Sequence, residues 1–257
     1  MILTVLQQII HNTFKPYYQP GQNQAPTNLI PSLIHRFHSK EGTSKTLASP
    51  HPKSKEPSQL TSTPGYTLYP DVIPLLKQLK AKQHQPDAGR VVIGIITNSD
   101  NRTADILTSM GVRVNPWHYG DQPSHSSAAQ SADAQFDIDF TVLSYDVGFE
   151  KPNARIFAAA EQMLASLLSA EPQQQRRVDP DEWSKVYVGD EYEKDVVGAT
   201  QAGWKAVLVD RETAGQHEGV EWLHGDEPAS VMAVLARTKA VGFSSLKQFG
   251  EWLPSRE

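Results

Sequence analysis

Cysteine is absent from the 257 residues of this chain. A disulfide framework, a zinc site with cysteine ligands and a thiol nucleophile are therefore excluded. Long apolar runs are also lacking, since the apolar stretch at residues 1–10 is shorter than the about 20 residues that span a bilayer. No basic residues precede this stretch, whereas a secretory signal begins with a positively charged segment. We expect an intracellular protein, cytoplasmic or nuclear, in which this stretch is an amphipathic helix or a strand.

Dense clusters of Lys and Arg are missing as well, and the formal net charge is −5. A binding surface for nucleic acid or for a membrane would need such a cluster. We therefore expect neither partner, and the sequence sets no oligomeric state. A chain of this length is able to bury roughly 70–75% of its unfolded surface, which suits one large domain with or without an appendage.

Three polar stretches separate the segments that have a regular apolar pattern: residues 40–65, 118–135 and 171–182. The first is rich in Ser, Thr, Pro and Lys with little to bury, which predicts disorder. The other two are shorter and separate well-patterned elements, as insertions in surface connections do.

Helical and strand patterns alternate over the rest of the chain. Helices are predicted at residues 71–82, 102–110, 152–168 and 193–202, and strands at 90–97, 140–144, 186–190 and 205–210. The segment from Val231 predicts amphipathic helices, with Trp252 and Leu253 in the core. Such alternation predicts an α/β fold, a Rossmann-like doubly wound parallel sheet with helices on both faces.

Polar residues follow three of the predicted strands, where such folds carry their chemistry. Thr97 and Asn98 offer a hydroxyl and backbone N–H groups to phosphate oxygens. Lys151 stands at a helix start, and Asp190 and Asp195 provide the oxygen ligands that Mg²⁺ prefers. Each feature alone has an ordinary explanation as a strand exit, a surface turn or a helix cap. Their common order and spacing favour one shared site.

Residues 68–211 resemble the haloacid dehalogenase-like (HAD) hydrolases, in the branch with an early helical cap. IGIITNSD resembles that family's second motif, SYDVGFEKPNARIF its third and VYVGDEYEKDVVGATQAG its fourth. Residues 28–42 and 66–76 resemble the end of the cap and its return into the core. The predicted organisation is a partial cap remnant at 1–39, an insertion at 40–65, and a core at 66–257 that lacks its first strand.

The resemblance implies phosphoester hydrolysis through a phosphoaspartyl intermediate with Mg²⁺ as cofactor. It implies that Thr97 binds the phosphoryl oxygen, with Asn98 assisting through its backbone. Lys151 stabilises the developing charge, Asp190 ligates Mg²⁺, and Asp195 ligates it directly or through water. The implied partner is a small phosphorylated molecule.

The family's first motif, which carries the nucleophile, has no counterpart, because no aspartate precedes Asp71. The later triplets Asp137–Asp139 and 179–181 are interpreted as solvated turns. Loss of a covalent nucleophile costs on the order of 10⁶ in turnover, so we expect a very poor catalyst with weak Mg²⁺ binding. With no first strand, we expect the strands at 91–96 and 186–190 to pair directly.

Four functional hypotheses remain. The first is a phosphatase-type hydrolase with an incomplete sequence, which a native mass clearly above 28.5 kDa would support. The second is a pseudoenzyme that keeps only a phosphate-binding site. A receiver-type signalling domain is disfavoured because Thr97 and Lys151 precede Asp190, and a nucleotide-binding Rossmann domain because a glycine-rich phosphate loop is lacking.

Overall fold

A computed structural model describes residues 2–6, 10–12, 66–81, 91–121, 136–169, 183–212, 215, 217–225 and 230–253. All of them belong to one unit of the chain, Met1–Thr13 with Thr61–Glu257. The predicted disordered stretch, the remainder of the predicted cap remnant beyond residue 12, and the triplet at 179–181 lie outside the described residues. Among the described residues, no helix combines the length and the apolar character that crossing a membrane requires.

The main sheet is parallel throughout. Its strands are β1 (Ile2–Leu6), β4 (Val91–Thr97), β5 (Phe140–Leu143), β6 (Ser184–Gly189), β7 (Lys205–Val209), β8 (Glu221–Trp222) and β9 (Ala240–Phe243). They lie in the order β5-β4-β1-β6-β7-β9-β8. A small antiparallel sheet pairs β2 (Ile10–Asn12) with β3 (Tyr66–Leu68). The predicted α/β class with a parallel sheet is therefore confirmed.

The centre of the sheet differs from the prediction. Strand β1 lies between β4 and β6 and pairs with both, and Val5 stands opposite Gly94 on one side and Tyr187 on the other. The predicted direct pairing of β4 with β6 is wrong, and residues 2–6 belong to the core rather than to a cap remnant. The physical reason is the cost of about 1–3 kcal/mol for each buried backbone group without a partner. A short apolar strand in this slot satisfies two buried edges at once.

The helices cover both faces of the sheet. They are α1 (Val72–Ala81), α2 (Arg102–Ser109), α3 (Ser144–Val147), α4 (Ala154–Ser169), α5 (Gly198–Gln201), α6 (Val231–Arg237) and α7 (Leu246–Glu251), with a π-helical turn at Tyr192–Val197. Alternate residues of β4 enter two separate hydrophobic clusters, Ile93 and Ile95 on one side and Val92 and Ile96 on the other. This alternation is what a strand buried on both faces requires.

The carboxyl-terminal segment was predicted correctly in its helices and in its core residues. Trp252 and Leu253 are buried, at 5% and 7% exposure. Strand β9 between the two helices was missed. It adds an apolar four-residue strand, buried throughout, to the sheet between β7 and β8.

The interpretation of Asp137 and Asp139 as solvated turns is wrong. The Asp137 carboxylate accepts hydrogen bonds from the backbone and the guanidinium of Arg113. Asp139 accepts from the Lys80 ammonium and from the Ile93 backbone N–H. Both acids therefore brace the loop that leads into β5 against neighbouring elements.

Candidate active site

Two hydrogen bonds join the end of β4 to the segment that carries Lys151. The Lys151 backbone N–H donates to Asn98 Oδ1 at 2.7 Å, and Asn98 Nδ2 donates back to the Lys151 carbonyl at 3.1 Å. Asn98 follows Thr97, and both residues are half-buried. The side chain of Asn98 thus joins the second and third motifs, a role that was not predicted, while the predicted part of its backbone in phosphoryl binding stays a prediction.

The Lys151 ammonium lies inside the protein. It donates to Asp195 Oδ1 at 2.6 Å and to the Tyr187 hydroxyl at 2.8 Å. The side chains of Lys151 and Asp195 are 0% and 1% exposed. Burial lowers the pKa of Lys151 from its usual value, and the Asp195 carboxylate opposes that shift. Among the described residues these contacts use two of the three N–H donors of the ammonium.

Tyr187 is the functional residue that the sequence reasoning missed. Its hydroxyl accepts from Lys151 and donates to the Ile96 carbonyl at 3.1 Å, so it links β6 to β4 across the end of β1. Burial, with the nearby charge of Asp195, raises its pKa well above the usual value, so the hydroxyl stays protonated. A tyrosine within an apolar buried strand was the available signal, because a buried hydroxyl needs a partner.

Asp195 uses both of its carboxylate oxygens inside the protein. While Oδ1 binds Lys151, Oδ2 accepts from the backbone N–H groups of Asp190 and Glu191, at 3.0 and 2.9 Å. The wide π-helical turn carries this carboxylate back under the end of β6. A Cβ atom on Gly189 would collide with the same carboxylate, so the strand must end in glycine.

Asp190 differs from Asp195 in its surroundings. Its residue surface is exposed. Protein packed around the carboxyl group, followed by the negative charges of Asp195 and Glu191, raises the pKa of Asp190. Its backbone supports Asp195, while its side chain makes no ion pair within the described part of the chain.

The two aspartates do not fit a direct Mg²⁺ site with two carboxylate ligands. Both oxygens of Asp195 are engaged by hydrogen-bond donors, and Lys151 already neutralises its charge. No group of three or more potential ligands among His, Asp and Glu assembles in the described residues. Asp190 is the one acid of the predicted pair whose carboxylate is left to contact an ion.

The structure therefore brings Asn98, Lys151 and Asp195 into direct contact at the carboxyl edge of the sheet. Thr97 lies at the end of β4 beside Asn98, and Asp190 follows the end of β6. These elements flank β1 on its two sides. This edge of the sheet thus carries a hydroxyl, backbone N–H groups and a buried cation, next to one exposed aspartate.

Comparison with known proteins finds similarity to the same family. Residues 148–237 match the HAD-hydrolase-like family model. The chain is 31% identical over 156 residues to an uncharacterised hydrolase of Schizosaccharomyces pombe, which covers 61% of this chain and 53% of that protein. It is 37% identical over 85 residues to a glyceraldehyde 3-phosphate phosphatase of Methanothermobacter thermautotrophicus, covering 33% of this chain and 31% of that one.

Among solved structures, a HAD phosphatase from Thermococcus onnurineus is similar, with a TM-score of 0.40 and 18% identity over 71% of this chain and 56% of that chain. The chain spans about half the length of the Schizosaccharomyces pombe relative, 53% of it. The family match over residues 148–237 covers the third motif from Gly148 onward and the whole fourth motif, the segment that carries Lys151, Asp190 and Asp195. Residues 148–237 thus match the HAD-hydrolase-like family, and the chain is similar over part of its length to hydrolases and phosphatases.

Proposed function

We propose that this chain is a phosphatase-type HAD-like protein that binds the phosphoryl group of a small phosphorylated molecule but hydrolyses phosphate esters very slowly. The observation that carries the proposal is the contact chain from Asn98 through Lys151 to Asp195. It draws three separate sequence motifs to one edge of the sheet, beside Thr97. The similarity to proteins named glyceraldehyde 3-phosphate phosphatase favours a small phosphate ester over a phosphorylated macromolecule.

Each residue has a task in this proposal. The Thr97 hydroxyl and the N–H groups that follow β4 donate to phosphoryl oxygens. Lys151 supplies a cation that Asp195 and Tyr187 hold in a fixed position. Asn98 fixes the distance between these two groups through its bonds to the Lys151 backbone.

Slow turnover is expected because the site lacks an attacking carboxylate. The mechanism of the family needs an attacking carboxylate after the central strand, where this sequence continues from Leu6 with Gln7 and Gln8. A carboxamide is not a comparable nucleophile. Asp195 is buried and bonded through both oxygens, so it does not replace the missing group. Mg²⁺ would neutralise phosphoryl charge. Of the two predicted ligands, Asp190 alone is available to it, so we propose weak Mg²⁺ binding there.

A turnover assay tests the catalytic half of the proposal. With p-nitrophenyl phosphate and excess Mg²⁺, we expect a rate far below the about 10 s⁻¹ of a typical enzyme. A rate near that value, abolished by Asp190→Asn, would contradict the proposal and point to a working metal-dependent phosphatase.

Calorimetry with inorganic phosphate tests the binding half. Thr97→Val removes one hydroxyl from the site, and loss of a hydrogen bond worth about 1 kcal/mol weakens binding about fivefold. The matched control is Thr108→Val, on the exposed face of α2, which should leave the affinity unchanged. Phosphate binding with no turnover favours the pseudoenzyme, a binding module, as the biological role. Failure to bind phosphate would overturn both functions.

A further inference from the structure

The segment from Ser144 to Lys151 is anchored at both ends to the strand end that carries Thr97. It leaves β5 after Leu143, which stands opposite Thr97 in the sheet. The Tyr145 backbone N–H donates to the Ser99 carbonyl at 3.3 Å. At the other end, the Lys151 backbone makes its two bonds to Asn98. Side chains on this segment therefore have a defined place beside the proposed phosphoryl site.

Two large apolar side chains of this segment face solvent. Tyr145 is 74% exposed and Phe149 is 36% exposed, and these are the exposed large hydrophobic residues of the described part of the chain. Elsewhere in that part, the Trp, Phe and Tyr side chains are buried or half-buried. Both exposed rings lie on one eight-residue segment beside the site. Exposed apolar side chains grouped in this way are typical of a binding surface.

A cation accompanies the rings. The Arg155 guanidinium lies over the Phe149 ring at 4.4 Å from its centroid. Stacking of this kind favours one orientation of the ring, and Arg155 itself is exposed. Gly148, with a φ of 75°, reverses the chain between the two aromatic residues.

We propose that Tyr145 and Phe149 form a subsite for an aromatic group carried by the bound phosphate ester. The proposal rests on the proposed function, because it needs the phosphoryl group to be held at Thr97 and Lys151. The organic part of that ester leaves the sheet edge past the anchored segment and meets the two rings. An aromatic group covers both, whereas a small aliphatic or polar group leaves them in water. The ligand class is therefore an aryl phosphate monoester.

Calorimetry with two probes that share a phosphoryl group tests this assignment. Phenyl phosphate should bind the unmodified protein about fivefold more tightly than methyl phosphate, within the about two- to tenfold that an aromatic contact contributes. The readout is the ratio of the two affinities, which cancels any effect on phosphate binding common to both probes. In the double variant Tyr145→Ala/Phe149→Ala the ratio should fall to about one.

Two further variants sharpen the test. Tyr145→Leu keeps an apolar side chain without a ring, and the ratio should fall by at least about twofold if stacking matters. Glu150→Ala changes an exposed neighbour on the same segment and should leave the ratio intact. Equal affinity of the unmodified protein for the two esters would overturn the aromatic subsite while leaving the proposed function in place. Binding of neither ester nor inorganic phosphate would overturn both.

Discussion

Two ion pairs of this molecule have nearly the same length and opposite surroundings. Lys151 and Asp195 meet at 2.6 Å with side chains 0% and 1% exposed. Arg237 and Glu221 meet at 2.8 Å with side chains 63% and 38% exposed. The two pairs differ in burial rather than in distance. Water screens the second pair, whereas the first lies in a medium of low dielectric constant.

The difference also concerns what surrounds each pair. The buried carboxylate accepts two backbone N–H bonds, and the buried ammonium binds the Tyr187 hydroxyl. At the surface pair, Arg237 of α6 contacts Glu221 of β8. The buried pair is part of a network whose members depend on each other, whereas the surface pair makes a single ion-pair contact within the described residues.

The largest expected effect is that of Asp195→Asn. It leaves the Lys151 charge buried without its partner, which should lower the free energy of unfolding by about 3–5 kcal/mol. Urea denaturation gives this value, with Asp190→Asn as the matched control at the exposed acid of the same segment, expected within about 0.5 kcal/mol. Similar losses in both variants would contradict the contrast between the two aspartates.

Removing the whole pair sharpens the same comparison. Lys151→Met combined with Asp195→Leu replaces two buried charges by apolar side chains, which is often neutral or stabilising in proteins. The double variant should therefore unfold at higher urea concentration than Asp195→Asn. It should also lose phosphate binding, since the cation is gone. A folded double variant that keeps full phosphate affinity would exclude Lys151 from the site.

A smaller effect is expected for Gly189→Ala. The new Cβ would meet the Asp195 carboxylate, and overpacking of this kind costs about 1–3 kcal/mol. The same substitution made in an Asp195→Gly background should cost less, because the colliding carboxyl group and the Cβ of residue 195 have both been removed. Equal costs in the two backgrounds, measured as a double-mutant cycle, would show that the two residues do not interact.

The Arg113–Asp137 pair lies between the two extremes, with side chains 56% and 13% exposed. Burial alone would raise the pKa of Asp137, but hydrogen bonds from Arg113 hold it below its usual value. A lowered carboxyl pKa contributes stability above the unfolded value of about 3.9 and loses it as the pH falls further. Asp137→Asn should therefore lower stability at pH 7 by about 1 kcal/mol, and the difference from the unmodified protein should shrink below about pH 4.

The smallest expected effect is at the exposed pair. Arg237→Ala should change the free energy of unfolding by less than about 1 kcal/mol, and added salt should reduce the change further. Thermal melts at low and high ionic strength measure it. A loss comparable to that of Asp195→Asn would contradict the account of burial given above.

Much of the fold follows from local patterns in the sequence. The helix expected at residues 152–168 is α4 at Ala154–Ser169, and the β-branched run at 90–97 is β4 at Val91–Thr97. Strand β1 was not placed, because its pairing depends on partners far away in the sequence and Gln7 and Gln8 weaken its apolar pattern. Strand β9 was missed because a run of four residues between two amphipathic helices carries too little periodicity of its own.

The candidate site was predicted in its members more than in its contacts. Strand ends place Thr97, Lys151 and Asp190 at one edge, since parallel strands finish together. Sequence spacing does not tell which donor meets which acceptor, so the pairing of Asp195 with Lys151 was not foreseen. That pairing makes Asp195 the partner that holds Lys151 in place, and it disfavours direct rather than water-mediated ligation of Mg²⁺ by Asp195.

In the proposed function, Thr97 and Lys151 serve one oxyanion site. Crystals soaked with tungstate, a heavy phosphate analogue, test it directly through anomalous scattering. We expect one bound oxyanion within hydrogen-bonding distance of the Thr97 hydroxyl and the Lys151 ammonium, with reduced occupancy in a Thr97→Val crystal. An oxyanion bound away from both groups, or sites that separate them, would contradict it.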